Sequence, residues 1–237
     1  MKQTLARLLA LCLLSLNMHA QAEPASKIQA SYDVVGFGMT LAKITETFTR
    51  TQDSYQIDSV TKAVGMLARF KPETVRVSSH GKITAQGLIP LAYSMTREID
   101  TDKNASAVFN WETATLTHKD YKGVNDMPLP KGTQDRISVL YQLSLLAKTT
   151  QDAQNFSITD GNNLQAYSFH YSTKEREISV PLGSYKSRNV SNTPVADGVQ
   201  YEIWMASELD NYPCKIIVTD SSGGKLTQVL TGLTITP

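Results

Sequence analysis

The sequence predicts a mainly β fold, an antiparallel meander curling into an incomplete or closed barrel that carries two short amphipathic helices. Three observations lead there. Successive segments alternate apolar and polar residues at period two, turn residues recur at short intervals between them, and only two stretches switch to helical spacing. Clean alternation favours antiparallel pairing, with one face of each strand dry and the other wet.

Taken in order, "KIQASYDVV" sets Ile28, Ala30, Tyr32 and Val34 on one face, and "GFGMTL" interrupts it at Gly36 and Gly38. With no third glycine and no helix behind it, that interruption reads as a β-bulge or strand kink rather than a phosphate loop. "DSYQIDSVTK" alternates Tyr55 and Ile57 against polar neighbours, and "ETVRVSSHGKITAQGLIPLAYS" reads as strands on both sides of a turn at His80-Gly81. "ASAVFNWET" places Ala107, Phe109 and Trp111 together. Hairpins are expected at Asp160-Gly161, Pro181-Leu182-Gly183 and Gly223-Gly224, between strands such as "VQYEIWMA" and "YPCKIIVTD". The helical stretches are about 61–70, with Val64, Leu67 and Phe70, and about 133–147. The second carries Ile137, Leu140, Tyr141 and Leu145 on one stripe, with Thr133 at the N-cap and Asp135 in the first turn.

The N-terminus stands apart. Residues 1–22 combine Lys2 and Arg7, a short apolar core and a small-residue ending at Ala20-Gln21-Ala22, which predicts a secretory signal peptide cleaved after about Ala22. The apolar core is shorter than the roughly 20 residues a membrane span needs. Cys12 follows Leu11 inside that core and lacks the setting of a lipidated cysteine. Residues 23–237 then form a single expected domain with no further long apolar run, so an integral membrane protein is not expected.

Removing Lys2 and Arg7 turns the formal charge of +1 slightly negative, leaving no cationic surplus for nucleic acid. Cys214 remains without an intramolecular partner and alternates as a small apolar strand residue. Neither a Gly-x-Ser-x-Gly elbow nor a Gly-Lys-Ser/Thr loop occurs, and His80, His118 and His170 are scattered. No catalytic residue, metal site or cofactor is expected, and the chain reads as non-enzymatic.

The ordered series "YQIDSVTKAVGML", "SSHGKITAQGLIPLAYS", "VFNWET", "LPKGTQDRISVLYQL", "ITDGNNLQAYSF", "ISVPLGSYKSRNV" and "EIWMASELDNYPCKIIVTDSSGG" resembles the bacterial exported family called domain of unknown function 3108. The resemblance implies the periplasm of a Gram-negative bacterium and a barrel-like β fold, and it carries over no catalytic residue. A more distant architectural analogy is to the lipoprotein-localisation carriers of the Lol pathway, which hold acyl chains in a curved sheet under short helices.

Two functions follow as expectations. In the first, the protein is a carrier or chaperone-like module that holds a lipid or acylated ligand in the half-barrel. Its cavity would be lined by Val64, Leu67, Phe70, Phe109, Trp111, Ile137, Leu140, Tyr141, Leu145 and Met205. In the second, it is an envelope protein-interaction module with a solid core. Trp204 would be the anchor there, because it shares a strand face with Glu202 and lies opposite Ile203 and Met205.

Overall fold

The computed structural model describes residues 25–147, 153–193 and 198–237; the expected signal segment lies outside them. The first half of the chain supplies β1 (Lys27–Gly36), β2 (Met39–Thr51), β3 (Ser54–Ala63), α1 (Gly65–Phe70), β4 (Thr74–Thr84), β5 (Gly87–Arg97), β6 (Ala105–Asn110), β7 (Thr115–Asp120) and β8 (Gly123–Pro128). The second half supplies β9 (Gln134–Asp135), α2 (Ser138–Leu146), β10 (Gln154–Thr159), β11 (Leu164–Val180), β12 (Gly183–Asn192), β13 (Gln200–Ala206), β14 (Tyr212–Thr219) and β15 (Lys225–Thr236).

Among the described residues all strands join one 15-stranded sheet that runs from β8 back to β1, crosses to β15 and continues down to β9. Every neighbouring pair is antiparallel except β9 with β10. The sheet does not close by a backbone ladder, so the barrel is incomplete. Its two ends meet through side chains instead. Gln134 on β9 donates Nε2 to Leu88 O on β5 (2.9 Å), and Thr159 on β10 shares a 2.7 Å hydrogen bond with His118 Nε2 on β7.

Period-two alternation makes this curl possible. On β1, Ala30, Tyr32 and Val34 are buried, and on β2 Ala42, Ile44, Glu46 and Phe48 are buried, each separated by a more exposed residue. Burying such side chains contributes about 1.5–3 kcal/mol each, and this favours the rolled sheet over a flat one. The buried residues form two clusters, one around Tyr32, Phe48, Tyr55 and Tyr93 and one around Leu143, Phe169, Ile203 and Met205.

Several boundaries differ from expectation for definable reasons. His80-Gly81 is not a turn: β4 runs through it with a register shift against β5, and the reversal comes at Ala85-Gln86. A Cβ on Gly81 would sit 2.1 Å from Ile89 O, so glycine there serves close strand approach. Gly36 and Gly38 mark a hairpin tip, with Phe37 and Gly38 both at positive φ (52° and 76°), the conformation a two-residue turn needs, and the expected irregularity falls just before it, as a register shift between Val34 and Val35. The first helix begins at Gly65 because Thr61–Ala63 stay paired with β2. The second begins at Ser138 because Gln134-Asp135 pair with Ile158-Thr159. Thr133 does not cap that helix; its hydroxyl donates to Pro130 O.

Candidate functional site

The interior is organised around α2, which lies inside the curl and is fastened on several sides. Asp135 Oδ1 accepts the backbone N–H groups of Ile137 and Ser138 (3.0 and 2.8 Å), while its Oδ2 accepts Ser79 Oγ–H (2.6 Å). It therefore satisfies helix-start donors that would otherwise be orphaned, and it does so fully buried rather than on the surface. Gln142 Oε1 accepts Leu88 N–H at 2.8 Å and its Nε2 donates to Gln86 O. Both backbone groups of Leu88 are thus held by glutamine side chains, Gln142 and Gln134. Tyr171 donates to Leu143 O, and Ser144 donates to Asn211 O beyond β13.

Three clefts lie in line along α2. The lower cleft, about 150 Å³, is lined mostly by apolar side chains that include Phe48, Leu88, Leu145 and Ile235, with Arg50, Ser144 and Asp210 beside them. A narrow pinch of about 10 Å³ follows, sharing Tyr141 and Tyr212 with the lower cleft. An upper cleft of about 90 Å³ shares Leu140, Ile216 and Gln228 with the pinch and adds Phe169, Val218 and Arg136. One groove, almost closed at its middle, therefore runs between α2 and the inner face of the sheet, with an arginine in each end cleft.

Polar groups make the pinch. Tyr141 donates its hydroxyl to Glu46 Oε1 at 2.8 Å, the Tyr212 hydroxyl donates to the same oxygen at 3.3 Å, and Tyr141 stacks on Phe48 with ring centroids 4.8 Å apart. Burial pushes the Glu46 carboxyl above the ordinary carboxylate range; hydrogen bonds from Tyr141, Tyr212 and Ser59 oppose the shift without cancelling it. Asp135 is raised for the same reason, with the Ser79 hydroxyl and the helix-start amides opposing.

The residues expected to line a cavity separate into groups. Tyr141 and Leu145 line the lower cleft, Leu140 lines the pinch and upper cleft, and Ile137 is buried just ahead of α2. Met205 is wholly buried in the packed cluster with Leu143. Phe109 is buried and stacks on the half-buried Trp111, whose Nε1 donates to Pro90 O; neither borders the groove. Val64, Leu67 and Phe70 are a correction. α1 buries none of its residues, and Phe70 is 82% exposed, because the helix starts from an extended Val64 beside β2 at the rim and turns its apolar side outward. Trp204 lies on the face opposite Ile203 and Met205 but is half-buried against the core, so it does not stand out as an exposed anchor.

Sequence reasoning missed Glu46, Gln142 and His118. Glu46 carried a legible signal, since it falls at the inward parity of β2 between Ile44 and Phe48. Gln142 and His118 carried none, because their roles depend on partners 54 and 41 residues away.

Among the described residues no helix is long and apolar enough to cross a membrane, and no group of three or more His, Cys, Asp or Glu side chains is placed to hold a metal ion. Comparison with curated proteins finds no match. Among solved structures, the chain is similar to a β-barrel-like protein of the domain of unknown function DUF1849 from Brucella abortus. The two share 13% identity with a TM-score of 0.57, over 89% of this chain and 98% of that one. At that identity the likeness concerns the fold alone, and it agrees with the incomplete barrel. The family described as "Protein of unknown function (DUF3108)" matches residues 27–231, and the chain belongs to that family.

Proposed function

We propose that this chain is an exported, non-enzymatic envelope protein that holds an alkyl chain of an anionic amphiphile in the groove along α2. Secretion by the N-terminal signal and residence in the periplasm of a Gram-negative bacterium are part of the same proposal. The observation that carries it is the alignment of three clefts sharing residues along one helix, mostly apolar in the two end clefts, each of which also holds an arginine, and polar only at the pinch between them.

Each methylene withdrawn from water contributes about 0.8 kcal/mol, so a chain filling the lower cleft gains several kcal/mol before the costs of association. Neither end cleft alone reaches the roughly 300 Å³ of common ligand pockets, which fits one thin chain rather than a compact molecule. Arg50 suits an anionic head group at the lower end, because a guanidinium is permanently charged and binds carboxylate or phosphate through two parallel hydrogen bonds.

The test is native mass spectrometry of protein purified without detergent, with titration of a fluorescent fatty acid. Wild type is expected to bind one probe molecule, and Leu145→Trp, which places bulk in the lower cleft, to lose it while keeping the wild-type melting temperature. A wild-type protein that neither carries lipid nor takes up the probe would sink the proposal.

A further inference from the structure

Large apolar side chains are exposed mainly at one end of the barrel. Strand directions place Phe37 and Met39 at the β1–β2 tip, Met66, Leu67 and Phe70 on α1, and Leu226 at the start of β15, all at the same end. Phe37 is 91% exposed and Phe70 82%.

These side chains sit on connected elements. Val64 N–H donates to Leu41 O at 2.9 Å, so α1 departs from β2 close to the β1–β2 tip. A Cβ on Gly36 would touch both Leu41 and Leu226, which places those two side chains together. Leu226 pairs with Val218, a lining residue of the upper cleft, so the exposed set lies at the end of the barrel nearer that cleft.

A six-residue helix that buries nothing has little reason to persist in water, since short isolated helices are marginal. Here the scaffold holds it in place. Just beyond α1, the buried Glu73 carboxylate accepts the backbone N–H groups of Thr74, Glu98, Ile99 and Asp100, and Lys71 pairs with Asp100 at 2.9 Å. That network holds the 53%-exposed Ile99 beside the end of α1, with its apolar side chain in water.

Lys43, Lys62, Arg69 and Lys71 stand among these side chains together with Asp33, Glu73, Asp100 and Asp220, and the carboxylates of Glu73 and Asp220 are taken up by backbone N–H groups. Lys43 and Lys71 pair with Asp33 and Asp100, and Lys62 and Arg69 have no ion pair among the described residues.

We infer that this rim docks on the surface of a bilayer containing anionic lipid, with Phe37, Met66 and Phe70 entering the headgroup boundary and Lys62 and Arg69 facing lipid phosphates. Apolar side chains on separate tips with cations beside them have the composition of an interfacial membrane contact. The inference is compatible with the carrier reading, since the upper cleft lies toward this end of the barrel, but it does not depend on that reading.

The experiment is vesicle flotation with phosphatidylethanolamine and phosphatidylglycerol at a ratio of about 7:3, using wild type and Phe37→Asn/Phe70→Ser. Both positions are exposed, and asparagine suits the φ of 52° at Phe37, so the variant is expected to keep the wild-type melting temperature. Wild type should float with the vesicles, and the double variant should bind roughly tenfold more weakly or less. High salt should weaken wild-type binding.

Fatty-acid probe binding, measured without vesicles, should be the same for both proteins; failure of that measurement alone counts against the carrier reading, not against docking. Wild type left at the bottom of the gradient would overturn the inference, as would equal flotation of the variant. So would a wild-type dimer in sedimentation that the double variant turns into monomer, which would make the rim a contact between copies of this chain.

Discussion

Replacing Gln142 with leucine tests how α2 is fastened. The glutamine amide accepts Leu88 N–H at 2.8 Å and donates to Gln86 O at 3.0 Å. Leu88 is only 4% exposed, so its N–H would lose its acceptor with no water to replace it, at about 1–3 kcal/mol. Gln86 is exposed, and its carbonyl recovers water at little cost. The expected loss is therefore about 2 kcal/mol, a fall in Tm of roughly 4–8 °C for a chain of this size.

Gly87 supplies an internal control. It has φ +108°, and a Cβ there would lie 2.1 Å from Gln142 Oε1. Gly87→Ala should cost more in the wild type than in a Gln142→Ala background, with a coupling of about 0.5–3 kcal/mol; the backbone strain is common to both and cancels. Urea unfolding followed by circular dichroism measures all four corners of the cycle. A Gln142→Leu midpoint within about 0.5 kcal/mol of wild type, or additive costs around the cycle, would refute this account of how the helix is held.

Two further predictions concern the buried carboxyls. Glu46 has a folded-state pKa above its unfolded value, so the folded protein holds that proton longer; the site's contribution to stability falls as pH rises from about 4.5 through the folded value and levels off above it. Glu46→Gln, neutral throughout, should gain on wild type as pH rises across that window in urea titrations; a difference that stays constant or shrinks would contradict the assignment. Asp135→Asn keeps an oxygen for the amides of Ile137 and Ser138 and presents an N–H to Ser79, so about 1 kcal/mol of stability is lost, whereas Asp135→Ala strips all three donors and should lose about 2 kcal/mol more. Equal melting temperatures for the two variants would show that Asp135 is not holding the start of α2.

Much of the strand framework was legible because it follows from alternation. Ala30, Tyr32 and Val34 on β1 and Ile203 and Met205 on β13 are buried as their parity predicts. The expected hairpins at Asp160-Gly161, Pro181-Leu182-Gly183 and Gly223-Gly224 also stand. His80-Gly81 was misleading because glycine serves two ends: it relieves a turn, or it lets another backbone approach, as Ile89 O does here. The groove was legible only in part. The stripe on α2 supplied Leu140, Tyr141 and Leu145, but Val139 and Leu143 from its other side are buried too, because the sheet wraps around the helix.

By itself, the amino-acid sequence determined that this chain forms antiparallel strands, where several of them turn, and that two segments become helices, because these follow from side-chain periodicity and local backbone chemistry. Only the tertiary structure decided which way each helix faces. A helical stripe requires an apolar partner without naming one: α2 finds it inside the curled sheet, while α1, held at the rim by β2 and the Glu73 network, turns the same kind of stripe outward.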